Sequence, residues 1–189
     1  IASFAPHFCG AWGSGGVYQI SDLVAQARAA LKFMRSRPFV DGKRVAVFGF
    51  SMGGWAALNL TPFEPALTTA VAVAPVGGPE VLNKDTRAAI AHLSRSLMIK
   101  SEPSFYRDFI KAIHENDPAR SVARFARPLL LIHGSADNVV FPAVSERLFA
   151  AAKGPKKLLR AKGAHHDFLD RRPWLTRVVA DWFEEKLNR

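Results

Sequence analysis

Ser51 sits in Gly49-Phe50-Ser51-Met52-Gly53-Gly54, a hydroxyl flanked by the smallest residues available. A serine hydroxyl is a weak nucleophile until a base takes its proton, so the chemistry on offer is acyl transfer and the chain must supply an imidazole and an acid to orient it. Two other segments carry such groups. His133-Gly134-Ser135-Ala136-Asp137-Asn138 puts a carboxylate just beyond an apolar run, and Gly163-Ala164-His165-His166-Asp167-Phe168 offers two adjacent bases. Asp137 reads as the acid that fixes an imidazole tautomer and stabilises its positive charge; a turn or helix cap is the plainer use of a loop aspartate. His7, His92, His114 and His133 show no paired metal-ligand spacing. Neither a metal nor another cofactor is expected.

These groups need elements to hold them. Arg44-Val45-Ala46-Val47-Phe48, launched by Asp41-Gly42, is an apolar run suited to a buried parallel strand. A helix from Met52 to Leu58 follows at once and stops before Pro62 and Pro65. Ser51 therefore occupies a sharp strand-to-helix turn, with Gly49, Gly53 and Gly54 allowing close backbone approach. The Met52 amide, first in that helix, faces a dipole end that favours negative charge and is the expected donor to an oxyanion. Thr69–Ala74, Leu129–His133 and Lys157–Arg160 read as further strands. Leu23, Val24, Ala27, Leu31 and Met34 recur at helical spacing after Ser21, an expected N-cap, and Pro38 closes that helix. Pro142 opens another helix through Val144, Leu148 and Phe149, and a last one from Pro173 puts Leu175, Val178, Val179, Trp182 and Phe183 on one face. Strands alternate with helices except over residues 76–126, which read as a helical cap inserted into a single domain spanning 1–189. Phe105, Phe109, Ile110 and Ile113 form a stripe there that serves packing or lines a pocket.

Gly-x-Ser-x-Gly between a buried strand and a helix resembles the nucleophile elbow of the α/β-hydrolase superfamily. The strand, His-Gly, two residues and Asp of 129–137 is similar to the segment that carries that family's acid, and Gly163 to Phe168 resembles its Gly-Ala-x-His-x-Phe loop. The resemblance implies a mostly parallel sheet flanked by helices, with Ser51 as nucleophile, Asp137 as acid and His166, in preference to His165, as base. The chain order Ser, Asp, His is that family's own. Phe39-Val40-Asp41-Gly42-Lys43-Arg44 running into the elbow suggests the dienelactone hydrolase or prolyl oligopeptidase-like branch. The resemblance covers about the last two thirds of a usual hydrolase domain. Upstream of the elbow, only Ile1–Ala5 reads as an earlier strand where the family has four. Trp12-Gly13-Ser14-Gly15-Gly16 resembles the Gly-rich loop after the fourth, and a second oxyanion donor would come from there, from Gly10 or Trp12. An exposed sheet edge is expected, covered by a second copy of the chain or a segment preceding Ile1.

With 189 residues, 49% of them hydrophobic, the chain can build one sizeable core. No run approaches the roughly eighteen apolar residues of a membrane span. The single cysteine, Cys9, excludes an internal disulfide and slightly favours a reducing, cytoplasmic compartment. A net charge of +10 is consistent with nucleic-acid binding. The basic cluster from Lys153 to Arg172 is, however, interrupted by Asp167 and Asp170 and lacks aromatic interleaving, so a solvated face is expected rather than a nucleic-acid site. The expected partner is a small ester. The expected activity is carboxylic-ester hydrolysis through an acyl-enzyme, against two alternatives: a serine peptidase, or a hydrolase-fold binding protein without catalysis.

Overall fold

Four apolar segments form the strands β1 (Val45–Phe50), β2 (Leu67–Val73), β3 (Leu129–Gly134) and β4 (Lys156–Ala161). They pair in the order β1-β2-β3-β4, all parallel, in a computed structural model that describes residues 1–188. Each strand is one or two residues longer than its sequence pattern suggested. β1 in particular carries Gly49 and Phe50 as strand and delivers the chain directly to Ser51.

Side-chain alternation along the central strands divides the core into two layers. Val71 and Val73 of β2 and Leu130 and Ile132 of β3 face a cluster completed by Phe168 and by Leu175, Val178, Val179, Trp182 and Phe183 of α7 (Arg172–Leu187). Trp182 Nε1–H also donates to Thr69 Oγ1 at 2.9 Å, which ties α7 to β2. On the other face Ala70, Ala72, Leu129 and Leu131 meet α2 (Met52–Leu60), with Trp55 and Leu58 fully buried. α1 (Leu23–Arg35) packs outside α2, and α6 (Ala143–Ala151) packs against β3 and β4.

The stretch between β2 and β3 contains α3 (Thr86–Ser94), α4 (Glu102–Glu115) and α5 (Pro118–Val122). Phe105, Phe109 and Ile113 of α4 and Val122 of α5 share the buried cluster of Trp55 and Leu131. The aromatic stripe is therefore packing. α5 lies against both α2 and α6, so this part of the expected cap is continuous with the helical layer on the sheet. Arg147 of α6 fastens it by hydrogen bonds to Asp117, which caps α5, and to Glu80.

Two local expectations give way to tertiary contacts. Ser21 does not cap α1; the amides of Ile20 and Ser21 donate instead to Asp108 of α4, at 2.6 and 3.4 Å. Ile1–Ala5 forms no strand, because its neighbour in the sheet would have to be β1 and no ladder joins them. These residues wall one side of a groove of about 870 Å³ along the outer edge of β1, floored by Val45, Val47, Phe48 and Phe50.

Candidate active site

The elbow is made by one residue. Ser51 has φ 53° and ψ −119°, a left-handed φ that costs a non-glycine residue about 1–3 kcal/mol and persists only where its surroundings hold it. Here they do. The Ser51 amide donates to Val73 O at 2.9 Å, and its carbonyl accepts from Trp55 N and Val76 N, both at 3.1 Å. A Cβ on Gly49 would lie 2.1 Å from Gly53 O, and one on Gly54 would lie 2.9 Å from Pro75 Cβ, so both glycines are required by contact. Gly53 has open space around it and is not.

The loops after β3 and β4 are stitched together on the far side. Ser135 N donates to Ala161 O at 2.9 Å, Ala136 N to Ala164 O at 3.0 Å and Gly163 N to Ser135 Oγ at 2.9 Å. Their approach is so close that a Cβ on Gly134 would stand 2.3 Å from Ala164 O. Fully buried Phe168 anchors the end of the second loop.

This stitching brings Ser51, His166 and Asp137 into one hydrogen-bonded line. His166 Nε2 is 2.9 Å from Ser51 Oγ, and His166 Nδ1 is 2.8 Å from Asp137 Oδ2. With Nδ1–H donating to the carboxylate, the Nε2 lone pair is left to accept the serine proton. The side chain of Asp137 is wholly buried whereas that of His166 is 16% exposed, so the imidazole is reachable and the carboxylate is not. Phe50 lies against the imidazole, ring centroids 5.1 Å apart. His165 is exposed and stands outside this line.

Burial alone would raise the Asp137 carboxyl, but hydrogen bonds from His133, His166 and the amides of Val140 and Val139 outweigh it and hold the group well below the usual carboxylate range. The amides reach Oδ1 at 2.9 Å from Val139 and 3.0 Å from Val140. His133 was not a candidate for the site in the sequence. It ends an otherwise apolar strand, and its Nε2 stands 3.2 Å from Asp137 Oδ2. Only its position one helix-turn's count before an aspartate, on a strand that must be buried, signalled it.

The Met52 amide opens α2, where the first N–H groups have no carbonyl within the helix to bond. Gly10 offers no matching donor, because its amide is bonded to Gly15 O at 3.0 Å. Trp12 is 83% exposed in a left-handed conformation. The groove along β1 is lined by Phe50 and Gly53 but by none of Ser51, Asp137 and His166. It is uncovered sheet, separate from the polar site. Among the described residues, no group of three or more His, Cys, Asp or Glu is arranged to hold a metal ion.

Comparison with known proteins identifies the fold and the family. An uncharacterized protein of Mycobacterium tuberculosis is 29% identical over 159 residues, which cover 82% of this chain and 49% of the relative. The chain thus spans about half the length of the curated relatives it first matches. The esterase domain of a Rhodothermus marinus protein superposes with a TM-score of 0.66 at 20% identity, covering 87% of this chain and 69% of that one. A puromycin-hydrolyzing peptidase of M. tuberculosis gives a TM-score of 0.56 at 27% identity, covering 76% and 22%. The sheet and its helices are those of the α/β-hydrolase fold. The family model for prolyl oligopeptidases matches residues 10–189, and the chain belongs to that family of serine hydrolases.

Proposed function

We propose that the protein hydrolyses carboxylic esters through an acyl-enzyme on Ser51. The observation that carries this reading is the 2.9 Å contact between Ser51 Oγ and His166 Nε2, with Nδ1 of the same ring on a buried carboxylate. His166 takes the serine proton as Oγ attacks the ester carbonyl, then returns it to the leaving alcohol. Water repeats the attack with the same base, and the acid is released. Asp137 keeps the ring in the required tautomer and stabilises the imidazolium without itself taking a proton. The Met52 amide, at the positive end of α2, stabilises the oxyanion of both tetrahedral intermediates. No cofactor enters this scheme.

A panel of p-nitrophenyl esters and aminoacyl anilides tests the substrate class. Esters turned over with anilides untouched is the expected result, and cleavage of anilides alone would sink the ester assignment. That second outcome is the peptidase reading, which the family membership and the 27% identity to a peptidase favour. A fluorophosphonate probe tests whether the serine is activated at all. Failure to label Ser51 would leave a binding protein.

A further inference from the structure

We propose that His133, held by Ser145, is a positioning residue that keeps Asp137 Oδ2 aimed at His166. The inference rests on the reading of Ser51, His166 and Asp137 as one catalytic relay.

His133 Nε2 is 2.8 Å from the Val140 carbonyl and 3.2 Å from Asp137 Oδ2. Both are acceptors, so Nε2 carries the hydrogen; it bonds Val140 O, and Asp137 Oδ2 lies beside the same N–H as the longer contact. His133 Nδ1 is then an acceptor, and Ser145 Oγ, 2.6 Å away, donates to it. The ring and the hydroxyl are both buried, with His133 1% exposed and Ser145 inaccessible. Both ring nitrogens have a partner, as such burial demands.

Asp137 thereby has three hydrogen-bond donors and the His133 Nε2–H beside them. Two amides of its own loop hold Oδ1, and two imidazoles, His133 from β3 and His166 from the loop after β4, meet on Oδ2. The amides fix where the carboxylate is. His133 fixes its rotation, because without that second donor Oδ2 is held only by the ring it is supposed to orient. The Val140 carbonyl, bonded to the same Nε2–H, ties the loop to the strand. Glu146 of α6 and Arg160 of β4 pair with each other at the half-exposed surface, which leaves the two histidines as the titratable groups on Asp137.

The pH profile tells positioning from mere packing. A carboxylate that loses one donor yet stays in place binds the His166 imidazolium more strongly, so the acid limb of kcat/KM moves to higher pH. A carboxylate that swings away supports the imidazolium less, and the limb moves lower. His133→Phe fills the space without a donor, His133→Gln restores an N–H, and Ser145→Ala releases the ring from α6. With p-nitrophenyl acetate, His133→Phe should lose about 10- to 100-fold in kcat at little change in KM. It should shift the acid limb to lower pH, and His133→Gln should recover most of the loss. Ser145→Ala, the variant that stands in should His133→Phe fail to fold, should lose about threefold or more in kcat while remaining folded at the assay temperature. Folded variants with parental kcat and an unmoved acid limb overturn the proposal, as does a limb that moves higher. Fluorophosphonate labelling separates the two ways of failing. A parent protein that takes no label overturns the relay and this inference together; a labelled parent whose His133→Phe variant labels at the same rate overturns this inference alone.

Discussion

The end of β1 and the edge of β1 belong to the same six residues and are organised in opposite ways. At the end, the strained Ser51 has its amide and carbonyl held by three backbone partners, and its hydroxyl meets an imidazole whose own partner is held by two amides and flanked by a second imidazole. Along the edge, β1 pairs with β2 on one side only, and Phe48 is 49% exposed above an 870 Å³ groove. The other edge of the sheet sharpens the contrast. β4 is bordered by Lys156, Lys157 and Arg160, and charge of this kind blunts an edge against further pairing. β1 has no charge within its span. Its sequence is that of an interior strand, while its end is built to a tolerance of tenths of an ångström. The site is over-determined by local contacts, whereas the outer edge of β1 has no strand partner among the described residues.

This contrast can be broken by experiment, beginning where the effect is greatest. Ser51→Ala should lower kcat on a p-nitrophenyl ester by about a million-fold while the melting temperature stays put, since the hydroxyl serves the reaction and not the fold. Residual turnover within tenfold of the parent would remove Ser51 from the chemistry. Asp137→Asn should cost about ten thousand-fold, because an amide stabilises no imidazolium and favours the wrong tautomer.

The same substitution reads out stability. The folded-state pKa of Asp137 is depressed below its unfolded value, so its contribution is fully present above about pH 4, the ordinary range, and is lost as pH falls through the depressed folded value. Urea midpoints measured at descending pH should fall less steeply in Asp137→Asn than in the parent. Equal slopes would mean that the carboxylate gains nothing from its surroundings.

Gly49→Ala should destabilise the fold by about 3 kcal/mol, because the added methyl meets backbone at 2.1 Å and the elbow has no slack. Phe48→Lys, one residue earlier, should change stability by about 0.5 kcal/mol or less and reduce any self-association seen by sedimentation. If Phe48→Lys proves as damaging as Gly49→Ala, the edge is covered in solution and the contrast fails.

Much of this was legible before any coordinates. The elbow strand, the helix after it, the two further apolar strands and the amphipathic face of α7 follow from periodicity and from where proline and glycine fall. So does the list of chemically able residues, because each closes or follows a strand whose apolar run has to be buried. The Ile1–Ala5 strand was misread for a physical reason. A five-residue apolar stretch is a strand only if something pairs with it, and pairing is a property of its neighbour. Ser21 misled in the same way, since a helix start can be satisfied by a distant carboxylate such as Asp108 as well as by the residue beside it.

The sequence by itself determined the parallel α/β layout, the order in which Ser51, Asp137 and His166 arrive, and the need for small residues at Gly49 and Gly54. Those depend on side-chain type and near neighbours, which a linear text contains. Only the tertiary structure decided between His165 and His166 as the ring that meets Ser51, separated Gly49 from Gly53, withdrew the Gly10 amide, and put His133 and Ser145 behind Asp137. Each of those decisions turns on a contact between segments far apart in the chain, where a shift of one residue moves a hydrogen-bonding atom by several ångströms and changes which groups can touch.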